Sequence, residues 1–406
     1  MGPVQFCEVM RQLNINPRLI VHIGDNYESD FRVPKSLGIE ALRLATTLDS
    51  FRKDKFSVWL YAYYELNHST FSSMLLYLVA NFLRARKYTA LELLGFSLAG
   101  PLVLAYLSYI EKVSIKMQYD HLIFVSRDGY LLQKNYSLLW NTIPNTYVYS
   151  SRRVYLNCTM DFAANPERLK TLLSDFSNAS RRCISKVSST YHKKNLELFN
   201  AFETQIKAWS EQNLRNYADY LKSLQIDGRR IASVDLTTSH FSSNRLFKRI
   251  LKANYIAGFY SCNLGDDTSE VAENYFWPEG LLITERDLPA ISLSEFLLSS
   301  PEATVVAIDK AGAPIFSGPK PHYFDLIDKG VTEFCNQSND IFDLNVYLSD
   351  FKNWVSMVQL FFKFVDDGTI SELEKYDLED FSEKKQYFFI YSLFQRKRSL
   401  VILTFT

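Results

Sequence analysis

The chain runs to 406 residues, 47% hydrophobic and 15% aromatic, with 30 Phe and 25 Tyr. That length and composition allow two or three domains around a sizeable core and exclude a disordered chain. Lysine plus arginine and aspartate plus glutamate stand at 45 each, so net charge argues for neither nucleic acid nor an acidic membrane as partner.

Five cysteines, Cys7, Cys158, Cys183, Cys262 and Cys335, are scattered and contain no Cys-x-x-Cys pair. Neither a zinc site nor a disulfide framework follows, and a reducing cytoplasm fits best. Residues 1–16 lack the charged start and apolar stretch of a signal peptide.

The first element is a short helix over 4–13, separated by Pro17 from the segment LIVHIGDNYESDFRVPKSLGIEALRL at 19–44. Its opening apolar run, 19–23, suits a buried parallel strand. Gly24 ends that strand, and Asp25 and Asp30 follow across a polar turn. Asp30 is expected to cap a helix whose first turn tolerates Pro34 and whose end is marked by Gly38. A second strand then covers 39–44. This order sets two carboxylates at the carboxyl end of a sheet, where they suit a hard cation such as magnesium. The plainer alternative is a capped turn with two solvated aspartates.

Residues 49–117 contain no convincing strand and form a helical connector, with helices over 71–86 and 90–117 and Ser69-Thr70 as candidate cap. The run LLGFSLAGPLVLAYLSYI at 93–110 approaches membrane-spanning length. Gly100-Pro101 at its centre, with Ser97 and Ser108, favours a buried helix hairpin broken at the proline, so no integral span is expected.

From 118 to 300 the pattern alternates. Strands are predicted over 121–125, 146–149, 230–234 and 255–260, and helices over 130–139, 166–177, 195–224 and 240–252. Alternation of this kind specifies a parallel Rossmann-like sheet with helices on its faces. Leu198, Phe202, Ile206, Trp209 and Tyr217 recur near helical spacing and read as a packing stripe. Residues 301–406 become helical again after a loop-rich joint at 312–321, most periodically over 341–365. The apolar run 400–405 reads as a terminal strand or a helix end, and no internal repeat is visible.

Three strand ends of the middle domain carry polar groups: Arg127-Asp128-Gly129, Ser150-Ser151-Arg152-Arg153 and Asp235-Leu236-Thr237-Thr238-Ser239. In a parallel sheet these ends converge, which is where ligands bind. Arginines beside hydroxyls and a helix amino end suit a phosphate, and Asp128 and Asp235 suit a metal or ribose hydroxyls. Alternatively, Arg and Asp simply pair across adjacent loops. The candidate ligand set is therefore Arg127, Asp128, Arg152, Arg153, Asp235, Thr237 and Thr238.

The run from His22 to Asp30, with Pro34 and Gly38-Ile39 downstream, resembles the fourth motif of the haloacid-dehalogenase (HAD) superfamily. In its phosphatases the acidic pair of that motif holds magnesium, so the resemblance implies Asp25 and Asp30 as metal ligands. The strand–RDGYLL–helix unit, the strand–SSRR turn and the strand ending at Asp235 resemble a bacterial family in which a HAD domain precedes a second α/β domain. Such proteins are usually encoded among genes for cell-surface polysaccharides. The likeness spans residue 1 to about 310, although Leu236-Thr237-Thr238 departs from that family's Asp–apolar–Gly–aromatic motif. The strand–Asp–Thr-Thr layout is also similar to phosphoribosyltransferases.

A HAD phosphatase carries its aspartate nucleophile on a first strand and a phosphate-binding lysine further on. Only 24 residues precede Asp25, and no lysine lies before Lys35. The expected architecture is thus α/β: an amino-terminally truncated HAD remnant (1–48), a helical connector (49–117), a parallel α/β domain (118–300) and a helical carboxyl-terminal region (301–406). The expected function is that of a HAD-hydrolase-like protein of polysaccharide biosynthesis, its HAD site incomplete, acting on or binding a phosphorylated sugar or nucleotide. A non-catalytic phospho-ligand-binding or assembly protein and a phosphoribosyltransferase-like enzyme are the alternatives.

Overall fold

The computed structural model describes residues 3–44, 51, 57–85, 87–161, 165–180, 192–226, 230–238, 240–251, 253, 255–265, 272–318, 320, 323–339 and 351–365. The chain divides into two compact units, Met1–Ala85 with a short return near residue 364, and Arg86–Lys363. The expected connector 49–117 therefore falls across the division.

In the first unit, α1 (Pro3–Leu13) precedes β1 (Val21–Gly24), which pairs in parallel with β2 (Glu40–Arg43), Val21 opposite Glu40. Phe6, the buried residue of α1, meets the edge of His22 at 4.9 Å. A π-helical turn, Tyr27–Arg32, runs into α2 (Val33–Ser36), which carries Pro34 in its first turn and is followed by Gly38 at φ +79°. The two strands and the roles of Pro34 and Gly38 match expectation. The burial does not: Val21 and Ile23 are each 55% exposed. Among the described residues β1 has one strand neighbour, and no element packs over the side of the sheet carrying Val21, Ile23 and Leu42, which lies open. Asp30 caps nothing; Asn26 does, accepting from the amides of Glu28 and Ser29 at 3.0 Å each. The unit continues with α3 (Val58–Asn67) and α4 (Thr70–Ala85), the latter started by Ser69, whose hydroxyl accepts from Ser72 N.

The second unit opens with one long helix, α5 (Ala90–Met117). Thr89 and Glu92 form a reciprocal capping box at its start. The expected break at Gly100-Pro101 does not occur. The turn over Gly95–Ala99 widens to π-helical geometry, and that slack immediately before the proline accommodates its ring and its missing N–H. Among the described residues α5 is the one helix long and apolar enough to cross a membrane, and 89% of its apolar window is buried inside the protein.

Its main partner is α13 (Phe324–Asn339), and the two meet backbone to backbone. A Cβ placed on Gly330 would lie 2.2 Å from the Glu92 carbonyl oxygen, and one on Gly95 would lie 2.4 Å from that of Ile327. Trp354, on α14 (Phe351–Phe364), donates its indole N–H to Leu98 O at 2.9 Å.

Beyond α5 the chain builds a five-stranded sheet in the order β4-β3-β5-β7-β9, parallel at every pairing. Its strands are β3 (His121–Val125), β4 (Asn145–Val148), β5 (Arg230–Val234), β7 (Tyr255–Tyr260) and β9 (Ala272–Tyr275), while β6 (Thr237–Thr238) and β8 (Cys262–Asn263) pair with each other just past the ends of β5 and β7. Helices α6 (Gly129–Leu139), α7 (Arg152–Thr159), α8 (Pro166–Ser180), α9 (His192–Ala201), α10 (Glu203–Ser223) and α11 (Ser242–Ile250) fill the crossovers.

The expected 195–224 helix is two helices separated at Phe202, and its stripe is packing: Ile206 and Tyr217 are fully buried. After α12 (Leu288–Leu297) the chain forms an antiparallel hairpin, β10 (Thr304–Ile308) and β11 (Pro314–Ser317), where a helical region was expected. Asp309 shapes its turn by accepting from Ala311 N and Ala313 N at 2.8 Å each. The described cysteines, Cys7, Cys158, Cys262 and Cys335, are free thiols. Cys183, the first part of the periodic 341–365 segment and the run 400–405 lie outside the described residues.

Overfilling the α5–α13 crossing forces rigid backbone apart. Gly330→Ala is expected to destabilise the second unit by about 1–3 kcal/mol, read as a lower denaturant midpoint; an unchanged midpoint contradicts the close crossing.

Candidate functional site

Because the sheet is parallel, β3, β4 and β5 deliver their carboxyl ends to one side. Residues 125–128 and 150–153 with Asp235, Thr237 and Thr238 there line a cleft of about 350 Å³ together with the start of α11, Glu295, Thr304 and Tyr323. All seven expected ligand residues reach this cleft, but they do different things.

The hydroxyls mostly hold the walls. Ser126 Oγ donates to Ser150 O at 2.8 Å and accepts from Ser150 N at 3.1 Å, joining the ends of β3 and β4. Ser150 Oγ meets Ser243 Oγ at 3.0 Å and so ties in α11. Ser151 caps α7 through Val154 N at 3.0 Å and donates to Val305 O at 2.7 Å. Thr238 Oγ1 accepts from Phe241 N at 3.0 Å, which braces the loop, and Thr237 donates to Glu295.

The arginines divide. Arg153 is held by Asp175, which is buried, and by Ser317 Oγ at 2.9 Å. Asn157 also donates to Asp175 at 2.9 Å, so that carboxylate is saturated. Arg153 therefore follows the pairing alternative. Arg127 and Arg152 do not: among the described residues neither has a carboxylate within 4.0 Å. Their charge nevertheless reaches Asp128.

Three carboxyls share the cleft. Burial pushes Asp128 well above the usual carboxylate range, and the charges of Asp235 and Glu295 push the same way against Arg127 and Arg152. Burial also raises Asp235, to about 7; a hydrogen bond from Leu236 N at 2.9 Å and the charge of Arg152 pull it down, while Glu295 pushes it up. Both carboxyls thus hold their protons more tightly than a solvated aspartate, for the same cause, burial beside other acids. Carboxyls with raised proton affinities suit acid–base work.

Two residue groups escaped the sequence reading. Glu295 comes from α12, remote in sequence, and its one signal is that it is the sole charge in the run LPAISLSEFL. The amino end of α11 is the other: Phe241 starts it at φ +49° and its side chain makes no capping hydrogen bond; helix amino ends attract anions.

The acidic turn of the first unit is a separate feature. Asp30 accepts from Asn26 N at 3.1 Å, meets His22 Nε2 at 3.2 Å and takes the Ser29 hydroxyl at 3.1 Å. The Asn26 bond, then His22, lowers its proton affinity. A Cβ on Gly24 would lie 2.5 Å from the Asp30 side chain, which explains the glycine before the acids. Asp25 is exposed, and among the described residues its carboxylate has no hydrogen-bond partner. No group of three or more His, Cys, Asp or Glu that could hold a metal occurs among the described residues. Two carboxylates fit only a largely hydrated magnesium ion, a mode that ion accepts.

The division among the arginines is testable by stability. Arg153→Ala strands a buried carboxylate and is expected to cost about 3 kcal/mol, whereas Arg127→Ala and Arg152→Ala leave the denaturation midpoint nearly unchanged. The raised Asp235 gives a pH signature. The folded chain holds a proton there that the unfolded chain releases above about pH 4, so stability falls as pH rises toward 7 and then levels. The melting-temperature advantage of Asp235→Asn should grow between pH 4.5 and 7 and plateau above; a constant difference contradicts the shift.

In comparisons with known proteins, no family model and no curated protein sequence matches this chain.

Proposed function

We propose that the chain is a HAD-hydrolase-like protein of surface-polysaccharide biosynthesis whose α/β cleft takes a phosphorylated sugar or nucleotide. The observation carrying this reading is the pair of uncommitted guanidiniums, Arg127 and Arg152, beside the uncapped amino end of α11. Arginines and free helix amides are the donors a phosphate group selects. The carboxyls of Asp128, Asp235 and Glu295 supply acceptors for sugar hydroxyls in the same space.

If the chain turns its ligand over, Asp128 and Asp235 together are the acid–base pair, since burial raises the proton affinity of both toward the neutral range or above it. In the first unit Asp25, with the oxygen lone pairs remaining on Asp30, would hold magnesium as a hydrated ion. A second reading, phosphoribosyl transfer, draws on Asp128 and Asp235 following adjacent strands β3 and β5 into the same cleft, where two acids suit a ribose diol. Pure ligand binding without turnover is the third.

One set of measurements separates these. The purified chain with magnesium is incubated with sugar phosphates, an aryl phosphate and phosphoribosyl diphosphate, beside Asp25→Asn and Asp235→Asn. Phosphate release lost in Asp235→Asn but kept in Asp25→Asn supports hydrolysis in the cleft, and diphosphate release from phosphoribosyl diphosphate supports the transferase. Stabilisation by a sugar phosphate without turnover supports binding alone. Loss of that stabilisation in Arg127→Ala and Arg152→Ala is expected throughout, and its survival in both sinks the phosphate reading.

A further inference from the structure

The cleft has a neighbour. Past the carboxyl ends of β7 and β9 lies a second cavity of about 590 Å³, lined by Leu264, Trp277, Leu281, Leu282, Ile283 and Leu288 among others. Leu264 lines both cavities. Its amide donates to Thr238 O at 2.7 Å, so the shared wall is pinned to the loop that also carries Asp235 and Thr237. Three of the leucines are exposed although they flank a cavity: Leu264 at 42%, Leu281 at 50% and Leu282 at 85%. Aliphatic groups left in water beside a cleft built for an anion are unexplained by folding alone.

We infer that this second cavity holds an aliphatic chain belonging to the same ligand whose phosphate occupies the first, so that the ligand class is an alkyl or prenyl phosphate ester. The inference rests on the phosphate reading of the cleft and extends it. Leu264, common to both linings, makes the two cavities adjacent, and the lining supplies the class. A nucleobase would need an aromatic face to stack on; of the two rings in the lining, Tyr275 packs against Tyr260 at 5.9 Å and donates its hydroxyl to Glu273, and Trp277 is the more buried. It is 5% exposed, Lys352 Nζ sits 4.9 Å from its centroid, Phe351 packs against it at 6.1 Å, and its indole N–H is bonded to Leu281 O at 2.9 Å. The exposed apolar part of the lining is leucine, with Ile283 and Leu288 beside it and Asn263 and Glu279 on its polar part, and aliphatic side chains reward buried methylenes without regard to their pattern.

The test is a calorimetric titration of the full chain with inorganic phosphate, butyl phosphate, hexyl phosphate and octyl phosphate, all below their micellar concentrations, with octanol and adenosine monophosphate as comparisons. Affinity is expected to rise by roughly fourfold per methylene that becomes buried. The exposed position makes Leu282→Glu a substitution that leaves folding intact; it should flatten the chain-length dependence while inorganic phosphate binds as before. Equal affinity across the series, tighter binding of the nucleotide, or octanol binding as tightly as octyl phosphate overturns the inference and leaves the phosphate site standing. If inorganic phosphate and every ester fail to bind, the phosphate reading falls and this inference with it.

Discussion

A parallel sheet has a direction, and in this protein that direction is the governing constraint. Five strands aligned the same way carry every crossover back to the amino side and leave every turn that follows a strand on the other. The polar ends of β3, β4 and β5 are thereby forced into one another's company. Carboxyls that would ionise freely on a surface are crowded together and stripped of water, and the arginines are drawn into the same field. Electrostatics at the cleft is thus a consequence of strand polarity before it is a property of any single residue.

Within that field the labour is divided by packing. Chemically identical neighbours, Arg152 and Arg153, end in opposite roles because successive residues at a helix start project about 100° apart. One turns inward to a buried aspartate and anchors α7 to α8; the other remains exposed at the cleft. The serines repeat the theme, spending their hydroxyls on joining β3, β4, α11 and β10 into one rim. A rim so tightly bonded holds the two guanidiniums, Arg127 and Arg152, and the amino end of α11 in a fixed geometry around the cleft.

Much of this was readable from residue order. The strands at 121–125, 230–234 and 255–260 coincide with the structure because continuous apolar runs bounded by turn residues have few other solutions. Their ends then announced the cleft. What stayed hidden shares a physical cause: its meaning lies in tertiary partners. Strand β9 reads Ala-Glu-Asn-Tyr, with no apolar signal, because an edge position needs none. The hairpin at 304–317 lies against α7 and α10 and is shaped by a single aspartate in its turn. Glu295 arrives from a helix 60 residues beyond Asp235. Pro101 promised a break that a widened turn absorbed, and β1 promised a burial that its one neighbouring strand does not provide.

The glycine crossing between α5 and α13 has a temporal side. Gly95 and Gly330 are far apart along the chain, so on the ribosome α5 emerges long before the surface that covers it. At synthesis rates of about 5–20 residues per second the delay is on the order of 10–50 s. During that interval α5, among the described residues the one helix with the length and apolarity for a bilayer, is a nascent segment without α13. The two small residues that let α13 close upon it, Gly95 and Gly330, therefore act only once synthesis has caught up.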